Sequence, residues 1–511
     1  MSVRPGASHS ITIPDGIRAA AQRTPSKVAL VEGSRALSYA QLIERIDQVS
    51  NLATHLGLRP GDRAAVLMPN RLEYIELVLG LSSAGVSAVT IGPASSAADI
   101  SFILEDCGTR VLFVDESLEE RAREGGLVAV EQVIVVGKNY DDLLAQASSQ
   151  MSSVQTDAEQ IFMITYTSGS TGTPKGVMLS HRCRVNSFHA MASAHGCYSP
   201  DDRSLATTPL FHGAGFMMAA APLFFGGHCE ILARFNIDEL MRAIERVRAN
   251  CVFMVPSHFS ALFASSNENR RYDTDSLKAI ISGTAPLAQA MKERIIDYFG
   301  PGKLFERYGS TEASIVSTLR PADQLRKLKC VGQPFPMTQV RVLDADGNDV
   351  PAGTPGELYS TSPFMFSGYW NRPGLAEKSR RGDWISAGDI AMLDDEGYLY
   401  LVDRKSDMII SGGENIYPRE VEEVLLAHPA VRECGVVGLP HDYWGEAVTA
   451  YVVLRDGTHA SADDLVKHAS STLARYKLPK TVHIVPDLPR NSMGKVLRRS
   501  LREGNWSAAA R

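Results

Sequence analysis

The chain has no paired cysteines, no long apolar run and no basic stripe, and each absence removes a class of protein. Its seven cysteines, Cys107, Cys183, Cys197, Cys229, Cys251, Cys330 and Cys434, are dispersed, and none forms a Cys-x-x-Cys pair. That spacing argues against a clustered zinc site or a dithiol redox motif. It suits reduced thiols in a cytoplasmic protein. The longest apolar stretch, Ala214 to Phe225, is interrupted by Pro222. It is shorter than the about 20 residues that span a bilayer, so a buried helix is expected there and no membrane span. Residues Met1 to Gly16 contain no apolar signal core, so no secretory leader is expected. The net charge is −6, and basic residues gather only in short pairs such as Arg380-Arg381. Nucleic acid therefore has no electrostatic footing and is not expected as a partner.

What is there is ordinary globular sequence, 44% hydrophobic and 22% charged. Its 511 residues exceed one core, which stops growing near roughly 250–300 residues. Ser38 can cap a helix carrying Leu42, Ile43, Ile46, Val49 and Leu52 on one face, with Gly57 to end it. Apolar runs at 63–68, 86–91, 111–114, 133–136, 251–255 and 279–281 read as buried strands, and 72–84 reads as a helix. This alternation predicts an α/β fold with parallel sheets covered by helices. After about Val331 the pattern changes to short alternating strands separated by turns such as Asp346-Gly347, which predicts a smaller antiparallel, barrel-like part. From Arg419 a helix at 420–427, strands at 434–437 and 448–454, a helix at 462–474 and a strand at 482–485 predict a separate α+β module. The expected division is 1–404, with 331–404 barrel-like, and 405–511.

The densest signal is Thr165 to Gly176, TYTSGSTGTPKG, directly after the apolar run Ile161-Phe162-Met163-Ile164. Gly169, Gly172 and Gly176 let the backbone approach a ligand closely. Successive amides in such a turn make an anion-binding concavity. Thr167, Ser168, Ser170, Thr171 and Thr173 add hydroxyls, and Lys175 adds charge, so phosphate is the natural guest. A Walker A loop requires glycine directly before the lysine. Here Pro174 precedes Lys175, so that reading fails. A flexible linker is the bland alternative, opposed by the strand just before it and by the fixed proline.

With its companions, this stretch resembles the phosphate loop of the adenylate-forming superfamily: acyl-CoA synthetases, peptide-synthetase adenylation domains and luciferases. The companions follow in the family's order: Pro209-Leu210-Phe211-His212, Tyr308-Gly309-Ser310-Thr311-Glu312, Ser386-Ala387-Gly388-Asp389 and Asp403-Arg404-Lys405-Ser406-Asp407. Then come Gly412-Gly413-Glu414-Asn415-Ile416-Tyr417-Pro418 and Pro489-Arg490-Asn491-Ser492-Met493-Gly494-Lys495. The resemblance implies a large N-terminal domain of two helix-covered sheets plus a small barrel, with a mobile C-terminal lid. It implies that ATP activates a carboxylic acid to acyl-AMP, and that coenzyme A then displaces AMP.

The resemblance also assigns roles. Thr167, Ser168, Gly169, Ser170, Thr171, Gly172 and Lys175 would cradle the β- and γ-phosphates. Glu312, with Thr167, would hold Mg2+, and Thr311 would touch the α-phosphate. Tyr308 would stack on adenine beside Gly283, Thr284 and Ala285, though a packed core aromatic is equally compatible. Asp389, with Arg404, would accept the ribose hydroxyls, although a Gly-Asp pair is also a common turn. Lys495 would bridge the acid and the α-phosphate. For the second half-reaction, the lid would rotate about Lys405 and Ser406 and bring Gly412, Gly413 and Glu414 to the pantetheine channel. Where the family commonly has an aspartate or lysine at the hinge this chain has the pair Lys405-Ser406, either of which could be the hinge residue, and Ser386-Ala387 stands where Thr is usual before the Gly-Asp pair.

His212 resembles the aromatic gate of the acyl pocket. Phe216, Arg307, Gly309 and Ser314 fall at pocket positions. The stretch Gly213 to Ala220 is small and apolar, which permits a pocket for an apolar acid or simply a packed helix. Arg307 could pair with a second carboxylate, as in malonate-activating relatives, or form a structural ion pair. The preferred reading is a fatty or aromatic monocarboxylic acid. A malonate-type ligase, a stand-alone enzyme loading a carrier protein and a nucleotide-binding regulator stand as alternatives. The expected partners are the acid and coenzyme A, with a homodimer left open.

Overall fold

The computed structural model describes residues 11–168, 174–264, 272–490 and 496–504. Internal packing divides the chain into two compact units. The first comprises Met1–Val340, Ser360–Ala387 and Gly397–Leu399. The second comprises Arg341–Tyr359, Gly388–Glu396 and Tyr400–Arg511.

The first unit is built on two sheets. In the nine-stranded sheet, Leu304–Ser310, Ala279–Ser282, Cys251–Met254, Arg203–Ala206, His228–Ile231 and Val28–Glu32 run parallel in that spatial order. Antiparallel strands close both edges: Ser314–Leu319 followed by Gln333–Pro334 on one side, and Arg35–Ser38 on the other. In the seven-stranded sheet, Ile161–Ser168, Ser87–Ile91, Arg63–Leu67, Val111–Asp115 and Gln132–Val136 are parallel neighbours. Central strands such as Cys251–Met254 and Ala279–Ser282 are buried along their whole length, because helices cover both faces of a parallel sheet. The apolar runs read from the sequence are therefore strands within a residue or two of where they were expected.

Helix boundaries follow local chemistry. Ser38 caps Tyr39–His55 with a reciprocal box closed by Gln41, and Gly57 takes a left-handed φ of 78° just beyond the end. The apolar run after His212 is a helix, Gly213–Phe225, buried on nearly every side despite Pro222 within it. Among the described residues no helix is long and apolar enough to cross a membrane.

The second unit has its own sheet of Glu414–Ile416, Ile409–Ser411, Gly445–Leu454 and Val431–His441, with Thr481–Ile484 parallel to Gly445–Leu454. Its helices are Pro418–Leu426, Ala462–Ser470 and Arg498–Glu503. Ile409, Ile416, Val421, Leu425, Val436, Val448 and Leu465 form its core. The two long strands exceed the four- and seven-residue runs expected. They form one hairpin paired from Val431↔Leu454 to His441↔Gly445, and backbone pairing extends it through polar residues that carry no apolar signal. In the middle of the chain, a five-stranded sheet is built from Gln339–Leu343, Gly356–Thr361, Arg380–Arg381, Trp384–Leu393 and Leu399–Arg404. Internal packing divides this expected barrel-like part between the units: 341–359, 388–396 and 400–404 go with the C-terminal residues, and the rest goes with the first unit.

Candidate active site

The glycine-rich stretch is carried by a hairpin. Ile161–Ser168 and Pro174–Ser180 pair antiparallel, with Thr167 opposite Lys175 and Ser168 opposite Pro174. The calls on Gly169, Ser170, Thr171 and Gly172 lie outside the described residues, as does Lys495. The hairpin is fixed from behind by Gly368–Tyr369, which pairs with Met178 and Val177. Gly176 is needed there, since a Cβ would lie 3.0–3.2 Å from Ile164, Tyr166 and Trp370.

This arrangement joins two of the expected residues. Lys175 Nζ lies 5.6 Å from the centre of the Tyr369 ring. Tyr369 Oη donates to Glu312 Oε1 at 2.8 Å. Burial, then the neighbouring Glu312 charge, raises the Tyr369 phenol well above its usual range, so it remains a donor. Glu312 and Thr311 sit in the tip of a second hairpin, between paired residues Ser310 and Ser314. Gly309 closes this hairpin tightly: a Cβ would stand 1.9 Å from the Ser314 carbonyl oxygen. Ser314 pays for the turn with a left-handed φ of 59°. Among the described residues Glu312 has no lysine or arginine within ion-pair distance, and no cluster of three metal-ligating side chains exists. A lone, half-buried carboxylate suits Mg2+, which takes one or two protein carboxylates plus substrate phosphates rather than an all-protein cage.

Gly283, Thr284 and Ala285 follow the parallel strand Ala279–Ser282, at the carboxyl edge where open α/β sheets bind ligands. Thr284 is exposed with a φ of 71°, and Gly283 is buried against Arg307. Tyr308 is half-buried, opposite Ser317. His212 is half-buried at the start of the Gly213–Phe225 helix, beside Phe211. Burial lowers its pKa to about 4, which keeps the imidazole neutral at physiological pH. Phe216 is fully buried against Phe162. Arg307 is buried with its guanidinium 4.5 Å from the centre of the Phe253 ring, and it forms no ion pair among the described residues. The structural ion pair expected as one alternative is therefore not seen there; in that strand the pair is Glu306 with Lys292, at 2.7 Å.

In the second unit Arg404 Nε meets Asp389 Oδ1 at 2.7 Å. Lys405 at the expected hinge donates its amide to Gly388 O at 2.8 Å and its Nζ to Glu357 at 2.8 Å. The Ser406 carbonyl accepts from Arg502 at 3.5 Å. Gly412 and Gly413 form the two-residue turn of a hairpin in which Ser411 pairs with Glu414. Both have positive φ, 62° and 85°, as a mirror-image turn demands. The motif reading gave this stretch no secondary structure; a Gly-Gly pair flanked by Ile409-Ile410 and Ile416 is itself a hairpin signal. Arg490 and Val496 pair antiparallel, and Leu497 N donates to Pro489 O at 2.8 Å, so both flanks of the segment bearing Lys495 are anchored.

One buried cation in contact with Ser314 had no place in the motif reading. Arg184, in the helix His181–His195, is fully buried and touches Ser314 and Met217. The signal was available: Arg184 shares the helix's apolar face with Ser187, Phe188 and Met191.

Comparison with known proteins fits this geometry. A profile of the AMP-binding enzyme family matches residues 17–370, and its C-terminal domain profile matches residues 420–495. The chain belongs to the AMP-binding enzyme family. It is 34% identical to feruloyl-CoA synthase of an Amycolatopsis species, over 94% of this chain and 96% of the relative. It is likewise 34% identical to 2-succinylbenzoate–CoA ligase of Geobacillus kaustophilus, over 96% of this chain and 98% of the relative. The o-succinylbenzoate CoA synthetase of Bacillus subtilis, solved with its acyl-adenylate, superposes with a TM-score of 0.87 at 32% identity, covering 96% of this chain and 98% of that one. Within the family the chain falls in the acyl-CoA ligase branch of adenylate-forming enzymes: it is an AMP-forming acid–CoA ligase, with ATP, Mg2+ and coenzyme A as its cofactors.

Proposed function

We propose that this ligase activates an aromatic carboxylic acid as its acyl-adenylate and passes the acyl group to coenzyme A, releasing AMP and pyrophosphate. The relatives named for feruloyl and 2-succinylbenzoate substrates support an aromatic ring over a long fatty chain. The observation that carries the ATP half is the group Lys175–Tyr369–Glu312, in which one phenol has a cation near its ring and donates its hydroxyl to a carboxylate.

In the first half-reaction two anions meet, so charge must be neutralised and the groups held in line. Lys175 and the hairpin amides would hold the β- and γ-phosphates. Glu312, with Thr167, would hold Mg2+, which when bound neutralises phosphate charge. Thr311 would donate to the α-phosphate, and Tyr308 would stack on adenine against Gly283–Ala285. Asp389 would accept from the ribose diol, oriented by Arg404. Lys495 would draw the acid's carboxylate and the α-phosphate together. His212, neutral, would gate the acyl pocket without adding charge.

In the second half-reaction the thiol attacks the acyl carbon and AMP leaves. We assign residues 1–404 to adenylation and 405–511 to a lid that turns at Lys405-Ser406. The Gly412-Gly413 turn and Glu414 would then line the pantetheine channel, where backbone without side chains leaves room. A cytoplasmic setting, where ATP, coenzyme A and reduced thiols coexist, suits this chemistry, and a homodimer is compatible with it.

The test is AMP release by the purified protein with ATP, Mg2+ and coenzyme A, across acetate, malonate, octanoate, palmitate, benzoate and ferulate. Turnover led by an aromatic acid is expected. Turnover of palmitate alone would overturn the aromatic reading, and AMP formation indifferent to coenzyme A would overturn thioester formation.

A further inference from the structure

We propose that the acid activated here carries a second carboxylate and that Arg184 binds it. This rests on the ligase reading above and adds the charge of the substrate's tail.

Arg184 is 2% exposed. Its Nη1 contacts only a thioether and a hydroxyl, Met217 Sδ and Ser314 Oγ, each at 3.4 Å. Its Nε has no hydrogen-bond partner. No aspartate or glutamate among the described residues pairs with it. Its Nη2 occupies space that a side chain at position 213 would claim, 2.7 Å from where a Cβ on Gly213 would stand. The guanidinium thus touches Met217 and Ser314 and lies against Gly213. These stretches were expected to wall the acyl pocket from their place after His212 and Glu312.

A buried cation without an anion is costly, and weak acceptors such as a thioether do little to offset it. Burial accordingly lowers the Arg184 pKa. A second buried guanidinium makes the deficit larger. Arg307 Nη1 also has no partner, and burial together with repulsion from Arg184 holds Arg307 down to about 10, with Tyr198 opposing. Neither guanidinium has an aspartate or glutamate partner among the described residues. A planar carboxylate matches the guanidinium fork, and a substrate can supply it on binding. Ser314 Oγ, 3.3 Å from Ser187 Oγ, offers a hydroxyl to the same group. The small apolar stretch from Gly213 onward suggested an uncharged tail; the charge comes instead from the helix facing it.

The experiment uses the full-length enzyme and pairs of acids that differ only by the second carboxylate: homophthalate with phenylacetate, 4-carboxycinnamate with cinnamate, suberate with octanoate. CoA-dependent AMP release gives kcat/KM for each. The proposal expects at least one dicarboxylate to exceed its partner by about 100-fold, mostly through KM, as loss of a buried charge contact implies. Arg184→Leu should abolish that preference and favour the monocarboxylate, while Arg184→Lys should keep part of it. If Arg184→Leu does not fold, the wild-type preference and the lysine variant still decide. Turnover confined to monocarboxylates, or a dicarboxylate preference that survives Arg184→Leu, would overturn the proposal. Absence of turnover with every acid would instead sink the ligase reading, and this inference with it.

Discussion

Arg498 and Arg184 are both largely buried arginines, one in each unit, and their surroundings are opposite. Arg498 Nη1 meets Asp407 at 2.9 Å and its Nη2 meets Glu422 at 2.7 Å, with Asp403 at 4.0 Å. Burial opposes its charge, yet these carboxylates raise its pKa above the ordinary arginine value. Arg184 has only Ser314 and Met217, and its pKa falls. Where the fold itself needs an arginine, it brings the counter-charge; where a ligand is to bring it, the fold leaves the place open. Glu312 is the acidic counterpart, a carboxylate with a phenol but no cation among the described residues. By this measure the second unit's network holds structure together, whereas Arg184 and Glu312 in the first unit have no counter-charge among the described residues.

The sharpest way to break the comparison is through the second unit's one assigned catalytic group. Lys495→Ala should lower acyl-adenylate formation by about 10³-fold, the scale of losing one transition-state donor. Conversion of supplied acyl-AMP to thioester should persist, and stopped-flow assays of the separate halves measure both. Equal loss in both halves would remove Lys495 from the role given to it. Glu312→Gln should cost about 10²-fold and raise the Mg2+ concentration for half-maximal activity. An unchanged Mg2+ requirement would place the metal elsewhere.

Next comes stability. Arg498→Met should destabilise the protein by about 3 kcal/mol, because it strands Glu422, whose own carboxyl burial already pushes upward. Denaturant melts would register this. A cost below about 1 kcal/mol would rank the network with ordinary surface pairs. Acid should act on the first unit. Burial lowers His181 and His195 to about 3 and His258 to about 4. For each, the unfolded chain binds the proton first, near pH 6.5. Their contribution is complete above that value and falls as pH drops toward the folded pKa, by about 1.4 kcal/mol per pH unit for each histidine. His195→Leu should flatten the decline in melting temperature between pH 7 and 5. The smallest effect is at the Gly412 turn. Gly412→Ala places a side chain at positive φ near Trp444, costing about 1 kcal/mol and slowing thioester formation more than adenylation.

Much of this was legible in the sequence because period and motif are local. Continuous apolar runs gave the parallel strands, and Ser38 gave a helix start that the structure places at the next residue. Motif order gave the family, which the profile matches bear out. Other features depend on distance along the chain. The Tyr369–Glu312 hydrogen bond spans 57 residues and the Arg184–Ser314 contact 130, and neither leaves a local pattern. The edge pair Gly368–Tyr369 is too short to show periodicity. The hairpin at Gly412-Gly413 was legible from the turn chemistry that two adjacent glycines announce, but the stretch was read only for its place in the family motif.

The central claim is that the Lys175 hairpin and Glu312 gather a nucleotide's phosphates against an organic acid so that a mixed anhydride forms. Exchange of labelled pyrophosphate into ATP, without coenzyme A, measures that step alone. The account predicts exchange that requires both Mg2+ and an accepted acid and that falls sharply in Lys175→Ala and Glu312→Gln. Exchange that proceeds equally without any acid, or that is indifferent to both substitutions, would contradict it.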